Sequence, residues 1–183
     1  MKTVRNIMIA ATLVAGATGG YAAMKNPMVG GAPMFATKNI VQNAVNSKDH
    51  TTLVAAVKAA GLVDTLSSAG PFTVFAPTNA AFAKLPAGTV DTLLKPENKA
   101  ALTGVLTYHV VPGRITAAMI AAKAKANGGT ATYTTVQGGT LNFKKMGMGW
   151  VVMDNKGDTA RITIANVMQS NGVIHVIDTV LLP

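Results

Sequence analysis

Between Asn39 and Ala126 the apolar residues recur at three- and four-residue spacing, and after Ala131 they tend to alternate with polar ones. Helical periodicity therefore gives way to strand periodicity about two thirds of the way along the chain. Ile40, Val41, Ala44 and Val45 share one helical face. Asp49-His50-Thr51-Thr52 opens a second helix that runs through Leu53, Val54, Val57 and Ala60 and stops at Gly61, a good C-terminal cap. Leu62–Leu66 is a further helical turn, closed by a Ser-Ser-Ala-Gly-Pro stretch. Phe72–Ala76 reads as a short strand ended by Pro77, and Thr78-Asn79 as an N-cap pair for a helix over residues 80–85. Thr89–Leu94, Lys99–Leu106 and Thr116–Ala126 are three more helical pieces, and Tyr108-His109-Val110-Val111 reads as extended before the turn signal Pro112-Gly113.

Strand-type runs follow at Ala131–Val136, Gly139–Phe143, Trp150–Met153, Arg161–Ala165 and Val173–Leu182, joined by glycine-rich turns. The last run is apolar on both alternating faces, with Val173 and Ile177 on one and Ile174, Val176 and Val180 on the other. A strand of that kind belongs in the middle of a sheet covered on both sides. His175 and Asp178 interrupt it, so each needs a partner or a route to the surface. The layout is α+β, with no internal repeat and no second domain boundary.

The N-terminal residues follow another pattern. Lys2 and Arg5 precede a short apolar run, Ile7–Ala17, and small residues around Gly20-Tyr21-Ala22 follow, as in a secretory signal peptide cleaved after Ala22. The run is shorter than the roughly 20 residues a membrane span needs. Residues 23–36, with two prolines and two glycines, read as a flexible leader, and the domain as residues 37–183.

Composition narrows the chemistry. The chain has 183 residues, 49% hydrophobic and 13% charged, so it can build a core, and it has no cysteine. Disulfides, thiolate metal sites and cysteine nucleophiles are thereby excluded. Loss of Lys2 and Arg5 with the signal leaves 14 basic residues against seven acidic. Such a surface, outside the membrane, meets anionic polysaccharide, lipid head groups or matrix polymers. Nucleic-acid binders add a clustered basic face with stacking aromatics, whereas these lysines are dispersed and Lys144-Lys145 is their one adjacent pair.

Three stretches carry a family resemblance. Phe72-Thr73-Val74-Phe75-Ala76-Pro77-Thr78-Asn79-Ala80-Ala81-Phe82 resembles the first signature block of the fasciclin domain. Leu106-Thr107-Tyr108-His109-Val110-Val111-Pro112-Gly113 is similar to its central tyrosine-histidine block, and residues 171–183, Asn171 through Pro183, to its closing block. Order and spacing agree over residues 37–183. The resemblance implies a wedge of strands flanked by short helices, located outside cells, and adhesion or matrix binding as the usual activity. It also implies that the Tyr108-His109 region contributes to adhesion surfaces, and that a carotenoid-like ligand in an apolar tunnel is an alternative. In animal members an Asp-Ile pair shortly before the closing block serves integrin binding. Asn166-Val167 stands there in this chain, so that carboxylate-dependent recognition does not carry over.

Catalytic constellations are hard to assemble. There is one glutamate, Glu97, in a Pro-Glu-Asn loop, and none of the four serines lies in a nucleophile-elbow sequence. The three histidines are far apart in sequence, and a triad needs one beside both a hydroxyl and a carboxylate. Asp154-Asn155-Lys156-Gly157-Asp158 has the wrong spacing for a calcium loop and reads as a hairpin turn. His109 is expected to pin a loop, with Thr78 or Asn79 as partner. Met146 and Met148, beside Trp150, form either a groove or a hairpin tip with partly buried methionines. The expectation is a non-enzymatic module, with no cofactor and no metal, that binds cell-surface or matrix polymer. Tyr108, His109, Lys144 and Lys145 are its candidate contacts, and Thr78, Asn79, His109, His175 and Asp178 its structural signature. The alternative is an apolar-ligand binder using Met, Ile and Val near Tyr108-His109 and the Met146–Trp150 loop.

Overall fold

The computed structural model describes residues 26–183. The signal segment expected over residues 1–22 lies outside the described residues. Two strands form a small hairpin, β1 (Met28–Val29) and β2 (Ala32–Pro33). Helices α1 (Ile40–Ala44), α2 (Thr51–Ala60) and α3 (Val63–Ser67) follow. Asn39 opens α1 with a capping box to Gln42, and Gly61 ends α2 at φ 71°, a left-handed conformation that glycine adopts without strain. Next come β3 (Phe72–Pro77), α4 (Asn79–Ala83), α5 (Thr89–Leu93), α6 (Lys99–Tyr108), β4 (Val110–Pro112) and α7 (Ala117–Ala126). The chain closes with β5 (Thr130–Thr134), β6 (Thr140–Met146), β7 (Gly149–Met153), β8 (Thr159–Gln169) and β9 (Gly172–Ile177).

Seven of these strands form one sheet in the order β4-β3-β9-β8-β7-β6-β5. Only β3 and β9 pair in parallel. All six residues of β9 are buried, between β3 and β8, as its two apolar faces require. Ile174 and Val176 face a core built with α1, α2, α4 and α6, whereas Ile177 faces a second core with Phe75, Tyr108, Ile120, Leu141 and Phe143. The sheet curls around that second core until the chain just past β5 reaches β4, where the Val136 N–H donates to the Val110 carbonyl at 2.8 Å. The result is the α+β wedge that the sequence implies.

Four local expectations are corrected. Residues 26–36 are no loose leader where they are described, because Val29 and Met34 are buried in the first core. Tyr108 is the last residue of α6 and His109 its C-terminal cap, so neither is extended. Leu102, Val105 and Leu106 fix a buried helical face just ahead of them, and packing overrides the local strand preference of Tyr and Val. Strand β8 is longer than residues 161–165 because register shifts between Ile162, Ile164 and Val167 break its alternation. The closing strand stops at Ile177, although Val180 and Leu181 beyond it stay buried.

Candidate functional site

Most polar side chains in the signature stretches bond to backbone. Thr78 caps α4, its hydroxyl accepting from the Ala81 N–H at 3.2 Å. The Asn79 side chain accepts from the Thr52 N–H at 3.0 Å and donates to the Lys48 carbonyl at 2.8 Å, tying α4 to the start of α2. Thr73, unremarked in the sequence, donates to the Gly113 carbonyl and accepts from the Ile115 N–H.

His109 does not meet Thr78 or Asn79. Its Nδ1 lies 2.8 Å from the Val105 carbonyl, and its Nε2 accepts from the Leu181 N–H at 3.0 Å. Those partners fix the neutral ring, with the proton on Nδ1. Burial pushes its pKa down to about 4, and the Val105 carbonyl opposes this only in part. Tyr108, also fully buried, donates its hydroxyl to the Thr140 carbonyl at 2.8 Å and accepts from the Asn155 N–H at 3.1 Å. Neither residue of the pair is available to a partner, which removes both from the candidate contacts.

His175 is likewise sealed. It stacks on Phe75 at 5.4 Å, its Nε2 is 2.8 Å from the Ile115 carbonyl, and Nδ1 faces the Asn166 N–H at 3.4 Å. Burial lowers its pKa. Asn166 sits at φ 58° in the irregular part of β8, where its side-chain carbonyl accepts from the Ala117 N–H at the start of α7. An asparagine there serves a turn and a helix end. Asp178 accepts from the Arg161 N–H at 2.8 Å and lies 3.8 Å from the Lys84 ammonium on the surface.

Asp154 carries more than a hairpin. One carboxylate oxygen accepts from the Lys156 and Asp158 N–H groups, both at 2.9 Å, and the other from the Leu182 N–H at 3.1 Å. With His109 on Leu181, it fastens the end of the chain to two earlier elements. Local pattern reveals only the turn; a contact 28 residues away leaves no local trace.

The nearest approach to a catalytic pair is Ser47 with His50, Oγ to Nδ1 at 2.8 Å. Both are buried beside a cavity of about 30 Å³, too small for more than a water-sized molecule, and burial lowers the His50 pKa. Its Nε2 has no hydrogen-bond partner; the nearby Ala76 backbone and Asp49 only favour its charged form. Among the described residues, no group of three His, Cys, Asp or Glu side chains could hold a metal ion.

Among the candidate residues, what remains outward is basic and apolar. Lys144 and Lys145 are exposed near the end of β6, in register with Val151 and Trp150 of β7. Arg161 of β8 continues the Lys144–Val151 row and is also exposed. The Met146-Gly147-Met148-Gly149 turn closes the β6–β7 hairpin, with Met146 58% and Met148 104% exposed. These methionines are solvated, not partly buried as expected. An open hollow of about 340 Å³ lies beside them, lined by Met146, Met148, Trp150 and Arg161. The alternative apolar-ligand site, joining the Tyr108-His109 edge to the Met146–Trp150 loop, does not form as one site. His109 borders a cavity of about 40 Å³ between α2 and β3. Tyr108 bonds to Thr140, the opposite end of β6 from Met146. Six residues of strand, roughly 20 Å, separate those ends.

Comparison with known proteins places this architecture. A fasciclin domain model matches residues 48–183. Protein sll1483 of Synechocystis is 50% identical over 161 residues, covering 87% of this chain and 81% of that protein. The immunogenic protein MPB70 of Mycobacterium bovis is 39% identical over 145 residues, 76% of this chain and 66% of that one. The M. bovis cell surface glycolipoprotein MPB83 is 36% identical over 179 residues, covering 95% and 74%. Among solved structures, the FAS1 domain pair of the insect cell adhesion molecule Fasciclin I aligns with a TM-score of 0.71 at 18% identity, over 80% of this chain and 51% of that one. That last likeness is of fold alone. The matched family model, extending over all three signature stretches, makes this chain a member of the fasciclin domain family.

Proposed function

We propose that this protein is an exported, non-catalytic fasciclin module that adheres to anionic polymer at a cell surface or in a matrix. One observation carries the reading: Tyr108, His109 and His175 bond inward to backbone while Lys144 and Lys145 of β6 and Arg161 of β8, on either side of β7, stand exposed. Such a module offers a rigid basic end of the sheet, with Lys144 and Arg161 on one side and Lys145 on the other, and no accessible acid–base pair. The names of its relatives, an immunogenic protein and a cell surface glycolipoprotein, support an envelope or extracellular location. Among the described residues no helix is long and apolar enough to cross a membrane. Export would follow cleavage after Ala22, which N-terminal sequencing of the protein recovered from its host would establish.

The test is binding of the exported protein to an immobilised acidic polysaccharide as a function of salt. Exposed charge contacts are screened over about 10 Å at 0.1 M salt, so affinity falls as salt rises. Lys144→Glu combined with Lys145→Glu is expected to weaken binding at least tenfold and to flatten the salt dependence. Binding unchanged in that variant, or absent from the unaltered protein at low salt, would overturn the reading.

A further inference from the structure

The tip of the β6–β7 hairpin combines features that polymer binding does not require. Met148 is fully exposed and Met146 largely so, at the outermost turn of the hairpin, where Gly147 has φ 60°. Apolar side chains so placed gain nothing from the fold. Behind them stand Trp150, half-buried, and the exposed cations Lys144, Lys145 and Arg161. Thr130 pairs with Lys144, so the turn after α7 reaches the same end of the sheet, and exposed Lys125 lies in the last turn of that helix.

Charge at this end is one-sided. No acidic residue occurs between Glu97 and Asp154, a stretch that holds six basic ones. Asp154 and Asp158 belong to the turn at the far end of β7, and the Asp178 carboxylate is engaged by the Arg161 N–H and faces Lys84. Among the described residues neither Lys144, Lys145 nor the Arg161 guanidinium has an acidic partner.

We infer that this hairpin tip docks on an anionic phospholipid surface, with Met146 and Met148 entering the head-group boundary and the cations behind them meeting lipid phosphates. The spacing agrees. Two residues of strand separate Met146 from Lys144, roughly 7 Å at strand rise. An apolar face at a bilayer surface sits about 5–10 Å deep. Methionine tolerates the disordered boundary because its unbranched thioether adapts to irregular surroundings. Trp150 lies at the level where tryptophan is favoured at membrane–water interfaces. The open hollow of about 340 Å³ between Trp150 and Arg161 gives space for part of one head group. Sugar polymers, by contrast, offer little to an exposed methionine. The inference goes beyond the adhesion reading and stands without it.

Trp150 is the chain's single tryptophan, so its fluorescence reports this site directly. The exported protein is mixed with vesicles of phosphatidylcholine containing phosphatidylglycerol, and with vesicles of phosphatidylcholine alone. A blue shift, quenching by brominated lipid and co-sedimentation are expected with the anionic vesicles only. Met146→Ser with Met148→Ser should lose at least tenfold in vesicle affinity and the blue shift. Because both side chains are exposed, its melting temperature should hold, as should binding to the acidic polysaccharide. Lack of vesicle binding by the unaltered protein would overturn the inference. Full binding by the double serine variant would reduce the contact to charge alone and overturn it too. Equal sensitivity of polysaccharide binding to the serine variant would make polymer the occupant and likewise sink it. Failure of polysaccharide binding with vesicle binding intact would count against the adhesion reading alone.

Discussion

His109 shows how one buried side chain can fix both geometry and pH response. Its Nε2 accepts a backbone N–H from Leu181, so a second ring proton would face a donor inside a site already hostile to charge. The folded ring takes its proton at about pH 4, against 6.5 when exposed. The unfolded state therefore binds more protons between those values. Stability from this group is complete above pH 6.5 and is lost as pH falls toward 4, by about 3 kcal/mol at full extent. His50 and His175, with pKa values lowered by burial, act in the same direction. Urea unfolding across pH 4 to 7 should show this slope, and His109→Gln should make it shallower. The same variant at pH 7 is expected to lose about 1–3 kcal/mol through imperfect replacement of two buried hydrogen bonds. An unchanged slope would show that His109 does not titrate as its surroundings require.

At the scale of elements, the parallel pairing of β3 with β9 depends on close backbone approach. A Cβ on Gly172 would lie 2.0 Å from the Phe72 carbonyl oxygen, and backbone cannot move aside as a flexible side chain can. Gly172→Ala is expected to cost about 1–3 kcal/mol or more. Gly104 gives the opposite case, inside α6 with nothing within 4 Å of a Cβ. Gly104→Ala is expected to raise stability by about 0.5–1 kcal/mol, since glycine surrenders more chain entropy in a helix. Parallel thermal melts of the two variants decide the matter; shifts of the same sign would contradict it.

Across the whole molecule, the packed unit begins earlier than the chain's periodicity indicates. Met34 is 1% exposed in the first core, and the Lys48 N–H donates to the Gly30 carbonyl at 3.2 Å. Met34→Ala is expected to destabilise by about 2–4 kcal/mol by leaving a cavity. A protein starting at residue 37 should melt well below one that keeps the hairpin. Equal melting temperatures would return these residues to a leader. At the opposite terminus, His109 and Asp154 hold Leu181 and Leu182, so the two halves of the chain close on its last residues.

How much of this the chain's own pattern decided depends on the range of each interaction. The caps at Thr78 and Gly61, the turn at Asp154–Asp158 and the centrality of Val173–Ile177 follow from local geometry and apolar spacing, which act within a few residues. The exposure of Lys144 and Lys145 was legible for the same reason. Tertiary structure alone placed His109 against Leu181, Tyr108 against Thr140 and Asn155, and Asn171 against Ile40, 131 residues away. Composition could say that such polar groups need partners, because burial without one is costly, but any of many carbonyls and amides would have served. Only the curling of the sheet chose among them. The same curling turned the tyrosine-histidine pair inward and left two methionines and a basic collar at the one end open to solvent.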